Sequence, residues 1–439
     1  MKPLATLLLS LTTLIGGHAG SGHADALKFP KPVQEQDYRT YSPQMVKLGQ
    51  LLFYDRVLSG TYRVSCATCH NPDRASSNGF RTDQVPDDKG DNEGDDLAIN
   101  GLPLYEALKP SAKHAPALFN LGAREFTIMF GDGRVAERSD GSFLSPAGDQ
   151  LPDGLQDVLA VQALFPAVTG DELVGTVDND VKAVAHLGNR AIWQALTERV
   201  QYLEEYWQPF KAAYPKLNSR EQINITHIAN AISAFVGTEW RSDSTPFDAW
   251  LRGEKAALSP SQTRGMDTFY GKAGCSSCHS GPFQTDHGFH PVAMPLWRFD
   301  VDLFATGDTV DLHQDRSKLT GNDSDKYHRR TPSLRNVEWT APYGHAGSYE
   351  TLAGFMNAHL DPVAGLQAFV AKRSAGKSLP NAVQTSVDEL KASNKLPAVK
   401  LSDQEFADLL AFLKSLSQAD SLTGNLGRPE IVPSSLALD

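Results

Sequence analysis

All four cysteines of the 439-residue chain lie in two pentapeptides, Cys66-Ala-Thr-Cys69-His70 and Cys275-Ser-Ser-Cys278-His279. Two thiols separated by two residues can form a redox pair or half of a zinc site. Here a histidine follows each second thiol, both copies are intact, and no cysteine is left for a disulfide. That is the pattern of covalent haem attachment. The thiols add to the two vinyl groups of one porphyrin, and the adjacent imidazole becomes the proximal iron ligand. The chemistry to expect is redox chemistry at two c-type haems, with His70 and His279 on the irons.

The segments that carry the motifs also repeat. Residues 42–70 and 259–279 each begin with Ser-Pro, a helix start with the cap and first-turn residues in order. Each continues as an apolar-periodic helix that ends on an aromatic pair, Phe53-Tyr54 or Phe269-Tyr270, before a loop leads into the motif. A cytochrome c unit closes with a C-terminal helix. Residues 401–416 supply one, with Ser402 and Glu405 in capping-box spacing and Phe406, Leu409, Leu410 and Leu413 on one stripe. Residues 223–240 can close the first unit. The expected architecture is mainly α: two fused cytochrome c-type haem domains with long loops, spanning 27–245 and 246–439. Gln84 to Asp96 reads as a solvated charged loop.

Composition narrows the function classes. A net charge of -11 argues against a nucleic-acid partner, which needs a basic face. Residues 1–26 read as an export leader, with Lys2, a short apolar run and a small-x-small site at Ala24-Asp25-Ala26. The run is short for a membrane span, and no later stretch approaches that length. The expectation is a periplasmic protein with no membrane span after cleavage.

Together these segments resemble the bacterial di-haem cytochrome c peroxidase / MauG superfamily over nearly all of the mature chain. The resemblance extends beyond the haem motifs to residues 114–134 (HAPALFNLGAREFTIMFGDGR) and 329–347 (RRTPSLRNVEWTAPYGHAG). It implies a peroxide site at the N-terminal haem and electron relay through the C-terminal haem. Relatives use a Gln and a Glu ten residues later, and Gln162 and Glu172 stand at that spacing. The resemblance makes Glu172 the acid/base group and Gln162 its pocket partner. It also implies a calcium ion between the haems, on Asn100, Thr340 and Pro342. Some relatives block the peroxide iron with a histidine soon after the first motif. Residues 71–113 contain none, so the first haem is expected to be open unless His114 swings in, and His114 reads as structural.

Two positions depart from the family pattern. The family's inter-haem tryptophan is replaced by Gly131, and Trp339 is the candidate for that electron route. Relatives place the second haem's sixth ligand, Met or Tyr, fourteen residues after the histidine of H-x-G. Counting from His345 gives His359; Met356, one helical turn earlier, is the alternative. A helix over 348–361 capped by Ser348 would put Leu352, Met356 and His359 on one face.

The leading expectation is a di-haem c peroxidase that reduces hydrogen peroxide, fed by a small cytochrome or copper protein. The alternative is MauG-like use of peroxide to oxidise Trp or Tyr side chains of a partner protein. A subgroup of di-haem enzymes associated with methanobactin and copper handling acts in that second way.

Overall fold

A computed structural model describes residues 28–77, 114–175, 178–297, 315–422 and 427–438. The leader, the Gln84–Asp96 loop and Asn100 lie outside these residues. The fold is mainly helical. Its strands are short: β1 (Ile128–Met129), β2 (Val135–Glu137) and β3 (Phe143–Leu144) form one antiparallel sheet. β4 (Phe289–Pro291) pairs with β5 (His328–Arg330).

Two helix pairs repeat one plan. The first opening helix, Pro43–Tyr54, is capped by Ser42, whose Oγ accepts a hydrogen bond from the Met45 amide at 3.2 Å. It packs against Ile225–Glu239. The second opening helix, Pro260–Tyr270, is capped by Ser259 in the same manner and packs against Asp403–Lys414. That closing helix begins with the expected box: the Ser402 amide donates to Glu405, and the Glu405 amide donates to Ser402 Oγ.

Glycine sets the separation in both pairs. A Cβ built on Gly49 would lie 1.8 Å from the Ala231 carbonyl oxygen and 2.8 Å from Phe235 Cβ. On Gly265 it would lie 1.9 Å from the Asp408 carbonyl oxygen and 2.8 Å from Phe412 Cβ. One glycine per pair thus brings two helix backbones into direct contact. Gly265→Ala is expected to force the helices apart and destabilise the fold by about 1–3 kcal/mol, read as a lowered denaturation midpoint by circular dichroism.

Each pair centres a core. The first core gathers Leu48, Leu52, Phe53, Phe235 and Trp240; the second gathers Phe247, Phe269, Met356, Leu409 and Phe412. A smaller third cluster joins helices Pro362–Ser374 and Asn381–Ser393 through Leu366, Phe369, Val383, Val387 and Leu390. Between the two helix pairs runs a buried polar knot. Asn120 Nδ2 donates to the Ser242 carbonyl at 3.0 Å, and Ser242 Oγ donates to Asn336 Oδ1 at 2.9 Å. The fully buried Arg335 guanidinium pairs with Asp248 and also donates to the Pro282 carbonyl. A charge this deep is stable only with its partner in place.

One boundary differs from expectation. The helix over the second motif is Leu352–Leu360, capped by Thr351 rather than Ser348. The Ser348 hydroxyl is taken by the Pro295 and Trp297 carbonyls, at 3.1 and 2.8 Å, and the helix begins three residues later than expected. Among the described residues no helix is long and apolar enough to cross a membrane.

Candidate haem-binding centres and peroxide site

The two pentapeptides fold alike. Cys66–Cys69 is one helical turn and Cys275–Ser277 one tighter turn, and in each the histidine amide donates to the carbonyl of the first cysteine at 2.9 Å. That bond places both thiols and the imidazole around one end of the turn. None of the four thiols is in a disulfide.

The histidine rings are oriented the same way in both centres. His70 Nδ1 bonds the Ser76 carbonyl at 3.1 Å, and His279 Nδ1 bonds the Gln284 carbonyl at 3.1 Å. Burial pushes both imidazole pKa values down, so both rings are neutral. A neutral ring with Nδ1–H held by a carbonyl leaves Nε2 as the metal-binding atom. Ser76 and Gln284 both take left-handed backbone, at φ 55° and 49°. These carbonyl acceptors carry no signature in the sequence.

A second repeat is also present in the sequence. Pro116-Ala-Leu118-Phe-Asn120 and Pro332-Ser-Leu334-Arg-Asn336 share the order Pro-x-Leu-x-Asn. Both asparagines are buried and left-handed, at φ 64° and 59°, and the knot around Ser242 holds both. The Pro116 and Pro332 carbonyls lie against the His70 and His279 rings.

Above the second motif the two centres diverge. The His359 ring lies opposite His279, with centroids 6.4 Å apart and planes at 61°. Two imidazoles bound on opposite sides of one metal, each at about 2 Å, place their centroids roughly 6 Å apart. His359 Nδ1 is buried with no hydrogen-bond partner among the described residues. Phe355 stacks on the ring at 5.4 Å and 23°. Burial, reinforced by His279, pushes the His359 pKa down to about 4, so it too is neutral. Met356 is packed in the second core, 5% exposed. Among the described residues, no ring faces His70 in this way.

Glu172 lies in a wide turn, Gly170–Val174, with φ −124° and ψ −114°. The turn is fastened to the loop that leads into the first motif. The Gly60 amide donates to the Leu173 carbonyl at 2.7 Å. A Cβ on Gly60 would stand 2.1 Å from the Val174 carbonyl oxygen. The buried Arg199 guanidinium binds the Ser59 and Gly60 carbonyls, pairs with Asp180 and covers the Tyr62 ring at 4.0 Å. Gln162 is half-buried on helix Val158–Ala163, which packs against the first closing helix.

The remaining expected residues are placed as follows. A Cβ on Gly131 would meet Arg329 Cδ and His345 Cε1 at 3.7 Å, so the position adjoins the second unit. Trp339 is half-buried and, although it belongs to the second half of the chain, packs against the first core. Pro342 follows a cis peptide bond from Ala341, and Thr340 precedes that pair. Among the described residues neither carbonyl accepts a hydrogen bond, which suits oxygen ligands for a hard cation. Cys278, Asp286 and His290 also approach one another within 4.8 Å. Cys278 is also an expected thioether cysteine of the second haem motif, so this group overlaps that motif.

Two haem-attachment turns with matched imidazoles define a di-haem c-type protein. Residues 43–256 match the family described as di-haem cytochrome c peroxidase. The cytochrome-c peroxidase IdrP1 of Denitromonas iodatirespirans is 31% identical over 451 residues, covering 96% of each chain. Cytochrome c551 peroxidase of Pseudomonas aeruginosa is 28% identical, covering 79% of this chain and 81% of that one. Methylamine utilization protein MauG of Methylorubrum extorquens is 26% identical, covering 88% and 82%. A solved MauG-like protein associated with microbial copper homeostasis shares the fold, with TM-score 0.59, 24% identity, and 94% and 99% of the two chains covered. The chain belongs to the di-haem cytochrome c peroxidase family, a family of oxidoreductases that carry haem c.

Proposed function

We propose that this protein is a periplasmic di-haem peroxidase in which hydrogen peroxide is reduced at the first haem and electrons enter through the second. His70 and His279 are its proximal ligands, and residues 27–245 and 246–439 its two haem units. The observation that carries this reading is the asymmetry between two otherwise repeated centres. An imidazole stands opposite His279, whereas a carboxylate-bearing turn is strapped to the loop that leads into the His70 motif.

The haem irons supply a binding position for peroxide and one-electron redox capacity. The rest is the work of this chain. Glu172 takes the proton from one peroxide oxygen and returns it to the other, which leaves as water. The Gln162 amide holds the carboxylate and peroxide in register. Each turnover consumes two electrons and two protons and yields two waters. The Ser76 and Gln284 carbonyls fix the tautomer and angle of the two proximal imidazoles throughout. Trp339, packed across both halves of the chain, is the proposed inter-haem electron route, and calcium on Asn100, Thr340 and Pro342 would brace the same region. A small cytochrome or copper protein is the proposed donor.

His359 itself favours a second reading. A second imidazole gives a lower potential than the Met/His pair suited to accepting donor electrons. It also better supports oxidising equivalents held above the ferric level, and that favours oxidation of a Trp or Tyr on a protein partner, as in MauG-type chemistry. Stopped-flow mixing of the holoprotein with peroxide separates the two readings. Fast turnover that requires a reduced small cytochrome supports the peroxidase. Slow turnover without such a donor, with covalent oxidation of an added exported protein, supports the protein oxidase.

A further inference from the structure

An aromatic stack runs from the surface toward the second haem motif, ending at Tyr270, and has no part in the reaction above. Phe247 lies between Trp250 and Tyr270, nearly parallel to both, with centroids 6.2 Å apart at 14° and 6.1 Å apart at 29°. Phe29 meets the same two rings edge-on, 5.1 Å from each. Tyr270 ends the second opening helix, and its buried hydroxyl, which makes no hydrogen bond among the described residues, lies close enough to the Gln284 side chain to feel it. The Gln284 carbonyl accepts the His279 Nδ1 hydrogen bond at 3.1 Å. Trp250, at the other end, is half-buried on the short helix Pro246–Leu251.

We propose that Trp250 is the surface electron-transfer residue through which the second haem exchanges electrons with a protein partner. The inference rests on the di-haem reading above. Indole and phenol are the side chains here that give up an electron most readily, and the two differ in where the accompanying proton can go. Burial pushes the Tyr270 pKa up, so its proton is held, whereas Trp250 borders solvent and can release its indole proton to water. The oxidised state therefore rests on Trp250.

Lys255 tunes the step. Its ammonium lies 3.4 Å from the centre of the Trp250 ring, a contact that stabilises the neutral indole and opposes positive charge on it. Loss of one electron to the oxidised second haem and of the N–H proton to water leaves a neutral indolyl radical. One electron from the partner and one proton from water restore it. Two such cycles supply the two electrons that one hydrogen peroxide takes up on becoming two waters.

The test is flash photolysis of the ferrous holoprotein with soluble ruthenium tris-bipyridine as photo-oxidant, following oxidation of the second haem by its absorbance. Trp250→Phe is expected to slow that oxidation by about tenfold or more, and Lys255→Met to speed it. Trp207→Phe, at a half-buried tryptophan in the first unit, is expected to leave the rate unchanged. An unchanged rate in Trp250→Phe, with its haem spectrum intact, overturns the proposal. No peroxide takes part in this measurement. Failure of the holoprotein to consume peroxide would instead overturn the peroxidase reading and leave the electron route standing.

Discussion

Glu172→Gln is expected to lower peroxide turnover by about 100- to 10,000-fold, the usual contribution of a positioned acid/base group. The substitution keeps the shape of the side chain and removes only its capacity to accept and return a proton. The turn itself is held by main-chain bonds, including Gly60 N–H to the Leu173 carbonyl, and by Asn179 Nδ2 to the Val174 carbonyl at 2.9 Å. The fold, both haem spectra and the affinity of the first iron for a small neutral ligand should therefore stay as they are. Stopped-flow rates of peroxide reduction check this. A loss of less than about tenfold would remove Glu172 from the acid/base role. Gln162→Ala should show a smaller loss with the same pH profile, since the amide positions the carboxylate and does not titrate.

His359→Ala is expected to convert the second haem from low-spin to high-spin. The ring faces His279 at the separation two trans imidazoles require, and the alanine leaves no donor atom in its place. Met356 cannot substitute without leaving the second core, where it packs with Phe269, Leu409 and Phe412. Met356→Leu should accordingly preserve the low-spin signal. His359→Met should keep the haem six-coordinate while raising its midpoint potential, by on the order of 100 mV within the range that axial ligands span. If Met356→Leu abolishes the low-spin signal and His359→Ala does not, the assignment is reversed.

The haem-attachment turns and the helices that carry them were legible because they depend on local rules. Ser42, Ser259 and Ser402 cap the helices they were expected to cap, and the aromatic pairs stand at the helix ends. Ser348 misled because its hydroxyl answers a tertiary demand from the Pro295 and Trp297 carbonyls, which no local pattern reveals. The Ser76 and Gln284 carbonyls are main-chain atoms, and their role carries no residue-type signature. The Pro-x-Leu-x-Asn repeat did carry one, but it lies 47 and 54 residues beyond Cys69 and Cys278 respectively, counted to each proline, so it does not stand out beside the motifs. The Trp250 stack draws on Phe29, Phe247, Trp250 and Tyr270, four rings from three separate segments, and appears only when the chain is folded.

The asymmetry of the two centres is tested most directly by low-temperature EPR of the ferric holoprotein at neutral pH. One low-spin signal from a haem with two imidazoles, His279 and His359, should stand beside one high-spin signal from the haem on His70, with its open peroxide position. Two low-spin signals and no high-spin component would contradict the account.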